Sequence, residues 1–277
     1  MSESEVFQRV VNLHKGFDLW NQASIETRDS FKDNIEFYKK NSYSYIPLPW
    51  TDEYVDVESG EVKDISENQR IVEDTSLIEV LEKLKTEPFV LHDAVADTHD
   101  PDDLGDLDRE DYFEKTDSDD YYQYEDDDRW FIITWADFKK REAKEMGYAL
   151  VAELANSLAD VIEEYYDGSE EIVESKQLKP ETVGRWYYDK KKGSVLHISE
   201  YLDMTEMKTL ITNNPNLVEI CEFDSKTKAI ENIDKVKKLR NEVMHANKTL
   251  INSEKEIEEL YDTLYLIDEI LSNLESR

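Results

Sequence analysis

The residues best suited to chemistry lie in one short segment near the end of the chain. Arg240 and Asn241 are adjacent, and four residues separate the arginine from His245. Within a helix, this spacing places a fixed cation, an amide and a titratable imidazole within about one and a half turns. An arginine can stabilise negative charge on a phosphate, and a histidine can transfer protons near neutral pH. The segment is therefore the strongest candidate for a catalytic site.

The candidate segment lies in the longest basic run of a strongly acidic chain. The 277 residues contain 66 acidic and 33 basic side chains, and the formal net charge is −33. Because carboxylates repel phosphates, this charge disfavours binding of nucleic acid by the whole surface. Any such contact must be confined to a local basic patch. Lysines cluster around the candidate segment, and Lys190–Lys192 form a second basic spot.

Composition narrows the class of protein further. Hydrophobic residues make up 39% of the chain, which is enough for a packed core, and the length fits one large domain or two ordinary ones. The single cysteine, Cys221, cannot form an intramolecular disulfide, and no residue spacing suggests a metal site. The first residues lack the apolar segment of a signal peptide, and no apolar run could span a membrane. We therefore expect a cytoplasmic protein without membrane contact.

Helices are expected throughout the C-terminal half, where apolar residues recur at three- and four-residue spacing. The predicted helices span about 141–166, 204–212, 226–244 and 253–274, and shorter apolar pieces lie at 183–188 and 194–202. This pattern predicts an all-helical bundle over residues 141–277. The candidate residues would then lie at the end of its penultimate long helix.

The first 140 residues contain two units of a helix followed by strands, which indicates an internal pseudo-repeat. A short amphipathic helix is expected first, within residues 1 to about 25. The first unit then has helical period over 31–38, a strand over 43–48 and a hairpin around Gly60. The overall fold class is therefore α+β, with an α/β tandem domain before the helical bundle.

The second unit repeats this order around a long insertion. Its helix opens with a capping box of Ser76 and Glu79, and strands are expected over 88–91 and 130–134. The intervening residues 93–129 are dominated by aspartate, which favours a solvated loop. Those aspartates lack the fixed spacing and the glycine of a calcium-binding loop.

This second unit resembles a cystathionine-β-synthase-type (CBS) motif. That family ends each unit with an aliphatic strand and a Thr/Ser-x-x-Asp turn that holds a nucleotide ribose, and Thr134 and Asp137 match the turn. Phe131 replaces the glycine of the family, and Gln69 stands where the first unit would have its aspartate. The resemblance implies an adenosine nucleotide, AMP or ATP, as a regulator. The alternative is a simple helix cap at Thr134, which needs no ligand.

The C-terminal bundle resembles a HEPN domain (higher eukaryotes and prokaryotes nucleotide-binding), on its Arg-Asn-x-x-x-His motif. The resemblance covers roughly residues 141–277 and is specific only over 238–250. Active members of the family are metal-independent RNA endonucleases. The resemblance implies that Arg240 stabilises the charge of the phosphorane, that His245 transfers a proton, and that Asn241 orients the histidine or holds a phosphate oxygen.

The same resemblance has implications for partners. In the family, two protomers pack this helix face to face, so we expect a two-fold homodimer with RNA as its substrate. Proteins of this kind serve in defence or toxin–antitoxin systems, which implies a cognate antitoxin or inhibitor, and they require no cofactor. The expected RNA-binding residues are Lys235, Lys237, Lys238 and Lys248.

A different class of function remains open. In this alternative the chain is a non-enzymatic dimeric regulator or sensor, whose acidic surface binds a basic partner. Arg240 would then be buried and paired with a carboxylate, for example from the last helix, and His245 would cap the helix end. The lysines would form an ordinary solvated helix face. Whether Arg240 and His245 are exposed in a shared cleft or buried apart distinguishes the two functions.

Overall fold

A computed structural model describes residues 4–19, 21–24, 26, 30–93, 130–166, 168–245 and 248–276. The chain divides into two compact units, one formed by residues 15–137 and the other by residues 1–14 together with 138–277. The mixture of helices and small sheets is of the expected α+β class. From residue 94 onwards, the predicted acidic loop over 93–129 lies outside the described residues.

The helices and strands have the following bounds. The helices are α1 (Glu5–Asn12), α2 (Ser30–Lys40), α3 (Leu77–Leu84), α4 (Arg141–Tyr165), α5 (Ser169–Glu174), α6 (Pro180–Lys191), α7 (Met204–Asn213), α8 (Pro215–Ile220), α9 (Lys226–Met244) and α10 (Ile257–Glu275). The strands are β1 (Asn21–Gln22), β2 (Tyr45–Leu48), β3 (Glu53–Asp56), β4 (Val62–Asp64), β5 (Arg70–Ile71), β6 (Phe89–Asp93) and β7 (Trp130–Thr134). None of the helices in the described part of the chain combines the length and apolar character needed to cross a membrane.

The α/β unit contains two small sheets. One is an antiparallel meander in the order β2-β3-β4, and the other has the order β1-β7-β6-β5, with only β5 and β6 parallel. The predicted hairpin is confirmed, because β3 pairs with β4 and Val55 lies opposite Val62. Gly60 in its turn has φ of +73°, a conformation that a side chain would strain. Each repeat consists of a helix followed by strands, as predicted. Within the described residues, the strands of the first repeat pair only with one another, whereas β6 and β7 of the second repeat also pair with β5 and β1.

The first helix is shorter than the sequence pattern predicts, and it belongs to the other unit. Helix α1 ends at Asn12 and packs against α4 and α10. Four residues after the end of α1, Gly16 makes a close tertiary contact: its amide donates to the Thr75 carbonyl at 2.6 Å. A Cβ at Gly16 would lie 3.1 Å from Val80 Cγ2. The expected boundary after residue 140 falls close to the observed one, but residues 1–14 do not belong to the α/β unit.

Helix α4 forms the centre of the helical unit. Its buried stripe includes Met146, Leu150, Leu154 and Leu158, and it contacts α1, α7, α9 and α10. The shorter apolar piece expected over 183–188 lies within the 12-residue helix α6. The piece over 194–202 is extended chain followed by a single 3₁₀ turn. The long helices all lie where their apolar periodicity predicts them.

Candidate active site at the end of helix α9

Helix α9 carries the Arg-Asn-x-x-x-His segment and begins and ends as predicted. The hydroxyl of Ser225 caps its start by accepting a hydrogen bond from the Lys228 amide at 3.2 Å. Ala229, Ile233, Val236 and Leu239 form its buried stripe, and the helix packs against α4, α7 and α10. The opposite, polar side of the last turns therefore faces outwards.

A glycine in α4 permits the close packing of the last turn of α9. A Cβ built at Gly147 would lie 3.0 Å from Val243 Cγ1 and 3.9 Å from Leu239 Cδ1. Glycine in the middle of a helix costs about 1 kcal/mol relative to alanine, so a compensating close contact explains its presence here. The position of Val243, within the candidate segment, thus depends directly on α4.

His245 is the residue at which α9 stops. Its backbone is extended, with φ of −96° and ψ of 113°, and its side chain is exposed. Its carbonyl oxygen accepts hydrogen bonds from Lys144 Nζ at 3.3 Å and from the Lys248 amide at 3.0 Å. These contacts fix the backbone of His245 against α4 and leave the imidazole accessible.

Arg240 is also exposed, and its surroundings contradict one alternative drawn from the sequence. Its Nη1 atom lies 3.5 Å from the Oδ1 atom of the half-buried Asn241, at the outer limit of a hydrogen bond. Among the described residues, no carboxylate lies within ion-pair distance of Arg240. The arginine is therefore neither buried nor paired with the last helix. Both the cation and the imidazole are open to solvent at the same end of α9.

The four predicted RNA-binding lysines differ in their surroundings. Lys238 pairs with Glu259 of α10 at 2.5 Å. Lys235 lines a shallow groove of about 270 Å³ that it shares with Lys255, Glu258, Glu259, Asp262 and Thr263. Lys237 is half-buried, and Lys248 is exposed. Carboxylates of α10 thus offset part of the positive charge that the sequence places on α9.

Glu242 is a titratable group in this segment that the sequence analysis did not single out. Burial raises the pKa of its half-buried carboxyl, and Glu259 and Glu256 act in the same direction, whereas Lys238 and Lys248 lower it. The sequence alone could have identified Glu242, because it lies between Asn241 and His245 in the candidate segment. Glu242 therefore adds a second titratable side chain, beside that of His245, to the segment from Arg240 to His245.

The residues expected to bind a nucleotide form a cap between the last strand and a 3₁₀ helix. Asp137 Oδ2 accepts from the Thr134 amide at 2.8 Å and from its hydroxyl at 3.1 Å. The other carboxylate oxygen accepts from Asn21 Nδ2 at 2.5 Å. Asp137 is 8% exposed, and both of its oxygens already accept hydrogen bonds within the protein. The cap alone accounts for this arrangement.

The corresponding turn of the first unit uses the same geometry with a neutral residue. The Ser66 amide donates to Gln69 Oε1 at 2.9 Å, and the Gln69 amide donates to Ser66 Oγ at 3.3 Å. Both turns open 3₁₀ helices. In both turns the side chain of the fourth residue accepts a hydrogen bond from the backbone amide of the first, so glutamine replaces aspartate without loss of that bond.

The described residues contain no group of three or more His, Cys, Asp or Glu side chains arranged to hold a metal ion. Comparison with known proteins adds no relative. No family model matches the chain, and neither a curated protein nor a solved structure is similar to it.

Proposed function

We propose that the chain is a HEPN-type, metal-independent RNA endonuclease of a defence or toxin–antitoxin kind. The observation that supports this proposal is the joint exposure of Arg240 and His245 at the end of α9, with no carboxylate on the arginine among the described residues. An arginine that served only to stabilise the fold of so acidic a chain would be expected to pair with one of its many carboxylates.

The proposed reaction uses the 2′-hydroxyl of the RNA as its nucleophile. A histidine accepts the proton of this hydroxyl, the oxygen attacks the adjacent phosphorus, and the 5′-oxygen leaves with a proton. The products are a 2′,3′-cyclic phosphate and a 5′-hydroxyl. Arg240 stabilises the extra negative charge on the phosphorane, and Asn241 orients the histidine or holds a phosphate oxygen.

Each chain supplies one histidine, His245, to the proposed site, whereas the reaction needs one group to accept a proton and another to donate one. A two-fold dimer that brings the ends of two α9 helices together would supply both imidazoles and both arginines. We therefore propose that the active form is a homodimer. Its interface would have to leave Arg240 and His245 in a shared cleft.

Cleavage of labelled RNA in the presence of a chelator tests the proposal. His245→Ala should lower the rate about 10²- to 10⁴-fold, the range for loss of a general acid or base. His14→Ala is the matched control, because His14 lies in the same unit at the end of α1. If both variants cleave RNA at equal rates, and size-exclusion chromatography shows that both are still dimers, the assignment is refuted.

A non-enzymatic dimeric regulator remains the second candidate, and one observation favours it. The carboxylates of Glu258, Glu259 and Asp262 share a groove with Lys235, which reduces the positive potential next to the site. A regulator that binds a basic partner through its acidic surface would not need that potential. This candidate predicts no cleavage by any variant, with a dimer that Arg240→Ala and His245→Ala leave unchanged.

Regulation by an adenosine nucleotide is a separate part of the proposal. AMP or ATP at the Thr134–Asp137 turn would have to replace the hydrogen bond from Asn21 to Asp137. Calorimetric titration of the whole protein with AMP and with ATP tests this step, with Asp137→Asn as the comparison variant. No heat at millimolar nucleotide, or equal binding by the variant, would remove this part and leave the nuclease proposal intact.

A further inference from the structure

Two tyrosines and two lysines form an exposed face at the C-terminal end of helix α6, where Lys192 directly follows the last helical residue. Tyr187 and Tyr188 are 54% and 59% exposed. The Lys191 ammonium lies 4.6 Å from the centre of the Tyr187 ring, and the Lys192 ammonium lies 4.0 Å from that of Tyr188. The four-residue spacing of each pair produces this stacking along the helix.

The other side of α6 is anchored in the helical unit. Trp186 is 6% exposed, and its Nε1 donates to the Leu196 carbonyl at 3.3 Å. The Thr182 hydroxyl donates to the buried carboxylate of Glu206 at 2.9 Å. Lys190 pairs with Glu170, so this third lysine of the run is neutralised. The two exposed tyrosines are therefore presented from a helix that is held in place.

The charge of this face differs from that of the whole protein. Arg185 is exposed and donates to the Tyr201 carbonyl at 3.2 Å, which leaves its positive charge without a carboxylate at that contact. The helix carries two acids. Asp189 is half-buried and accepts a hydrogen bond from the Tyr201 hydroxyl at 3.1 Å. Glu181 is exposed in the first turn, where it offsets one of the three positive charges of Arg185, Lys191 and Lys192. A net positive, aromatic surface thus lies on a chain with a formal net charge of −33.

We propose that this α6 face, formed by Arg185, Tyr187, Tyr188, Lys191 and Lys192, binds single-stranded RNA. The inference rests on the proposed nuclease function and names the strandedness of its substrate. Bases of a single strand can stack on exposed tyrosine rings, whereas the bases of a duplex are already stacked on one another. The lysines and the arginine would contact the phosphates that follow each stacked base.

The charge distribution favours a strand over a membrane. A lipid surface is broad, so an anionic bilayer at the α6 face would also approach the acidic surface around it. Charges separated by more than about 10 Å are largely screened at physiological salt. A single strand is narrow enough to contact the positive face while it avoids most of the surrounding carboxylates. The α6 face therefore suits an extended polyanion.

Fluorescence anisotropy with a labelled single-stranded oligoribonucleotide tests the proposal. The whole protein carrying His245→Ala is used, so that binding is measured without cleavage. Adding Tyr187→Ala and Tyr188→Ala should weaken binding at least about 5-fold for each ring. Tyr148→Ala is the matched control, because Tyr148 is 51% exposed on α4. Circular dichroism verifies that each variant is folded.

The same binding assay is repeated with lysine variants, with duplex RNA and with vesicles of anionic lipid. Lys191→Ala with Lys192→Ala should weaken binding and flatten its salt dependence. Lys179→Ala with Lys208→Ala, which removes two lysines already paired with Asp203 and Asp234, should change it little. Equal affinity for duplex RNA, binding to vesicles of anionic lipid but not to RNA, or no loss in the tyrosine variants would overturn the proposal. RNA binding at the α6 face together with no cleavage by the wild-type protein would refute the nuclease assignment alone.

Discussion

The ends of α6 and α9 look alike in sequence, because each carries a run of lysines in a chain dominated by carboxylates. Their surroundings differ. At the end of α9, Lys238 pairs with Glu259 and Lys235 shares a groove with three acidic residues of α10. At the end of α6, Lys191 and Lys192 lie over tyrosine rings of their own helix.

The difference shows that the number of lysines does not determine the electrostatic potential at a surface. An ammonium beside a carboxylate contributes little to the field felt by a phosphate, whereas an ammonium over an aromatic ring keeps its full charge. Lys238 therefore serves mainly to hold α10, whereas Arg240 has no carboxylate within ion-pair distance among the described residues and keeps its charge available at that site. On this comparison, α9 would carry the chemistry and α6 would carry the affinity for the strand.

The sharpest test of this comparison replaces one cation of each kind within α9. Arg240→Ala should lower RNA cleavage about 10²- to 10³-fold, the effect of removing one group that stabilises transition-state charge. Lys238→Ala should lower it only a few fold, because Glu259 already compensates that lysine. Rates measured under single-turnover conditions give both values. Arg9→Ala, which removes an exposed arginine paired with Glu153, controls for the change in total charge.

Replacing each of the two helical glycines by alanine should give variants whose free energies of unfolding differ by about 1 kcal/mol. Gly184 of α6 has no atom within 4 Å of an added Cβ, so Gly184→Ala should stabilise the protein by about 0.5–1 kcal/mol through helix propensity. At Gly147 the same gain is opposed by the 3.0 Å contact with Val243. Gly147→Ala should therefore give little or no stabilisation in denaturant titrations.

A double substitution identifies the cause at Gly147. Gly147→Ala combined with Val243→Ala should recover the propensity gain relative to Val243→Ala alone, because the opposing methyl group is gone. If Gly147→Ala stabilises the protein as much as Gly184→Ala does, then α4 and α9 have room to spare and the close approach does not position the candidate segment.

Neutralising the acidic partner of a lysine should raise affinity for RNA by a smaller amount. Glu259→Gln frees Lys238 on α9, and Glu170→Gln frees Lys190 on α6. Each change should steepen the slope of log K against log salt concentration by up to about 0.7 for a single strand. Anisotropy at several salt concentrations measures the slope. An unchanged slope for Glu259→Gln would show that Lys238 does not face bound RNA.

The smallest expected effect is a pH dependence at Glu242. Burial raises the pKa of this carboxyl above its ordinary value, so the folded protein holds the proton to a higher pH than the unfolded chain. Stability from this group is present at low pH and is lost as pH rises through the folded pKa. Glu242→Gln should therefore raise Tm near pH 7 but not near pH 4. Glu258→Gln serves as the control, because Glu258 is exposed. If Glu242→Gln changes Tm equally at both pH values, the raised pKa of Glu242 is contradicted.

The sequence predicted local features well, because apolar periodicity and turn residues determine them. The bounds of α9 and the hairpin at Gly60 are of this kind. The contact between Gly16 and Thr75, which follows α1, was missed because the two residues are far apart in the chain. The pairing of Lys238 with Glu259 was missed for the same reason, since it arises only when α10 packs on α9.

One signal was present in the sequence but was not used. The four-residue spacing of Tyr187 with Lys191 and of Tyr188 with Lys192 is visible in the printed chain and predicts their stacking once the segment is helical. The apolar residues of 183–188 by themselves predict a buried piece, so the exposed face of the segment is visible only from this spacing.

Because α4 and α9 approach so closely, an engineered disulfide could join them next to the candidate site. Gly147→Cys with Val243→Cys would place two thiols within reach of one another, and the native Cys221 is fully buried and would remain apart. Oxidation would then clamp the last turn of α9 to α4, and reduction would release it. Cleavage rates of the oxidised and reduced forms of one preparation would show whether the site must move during turnover.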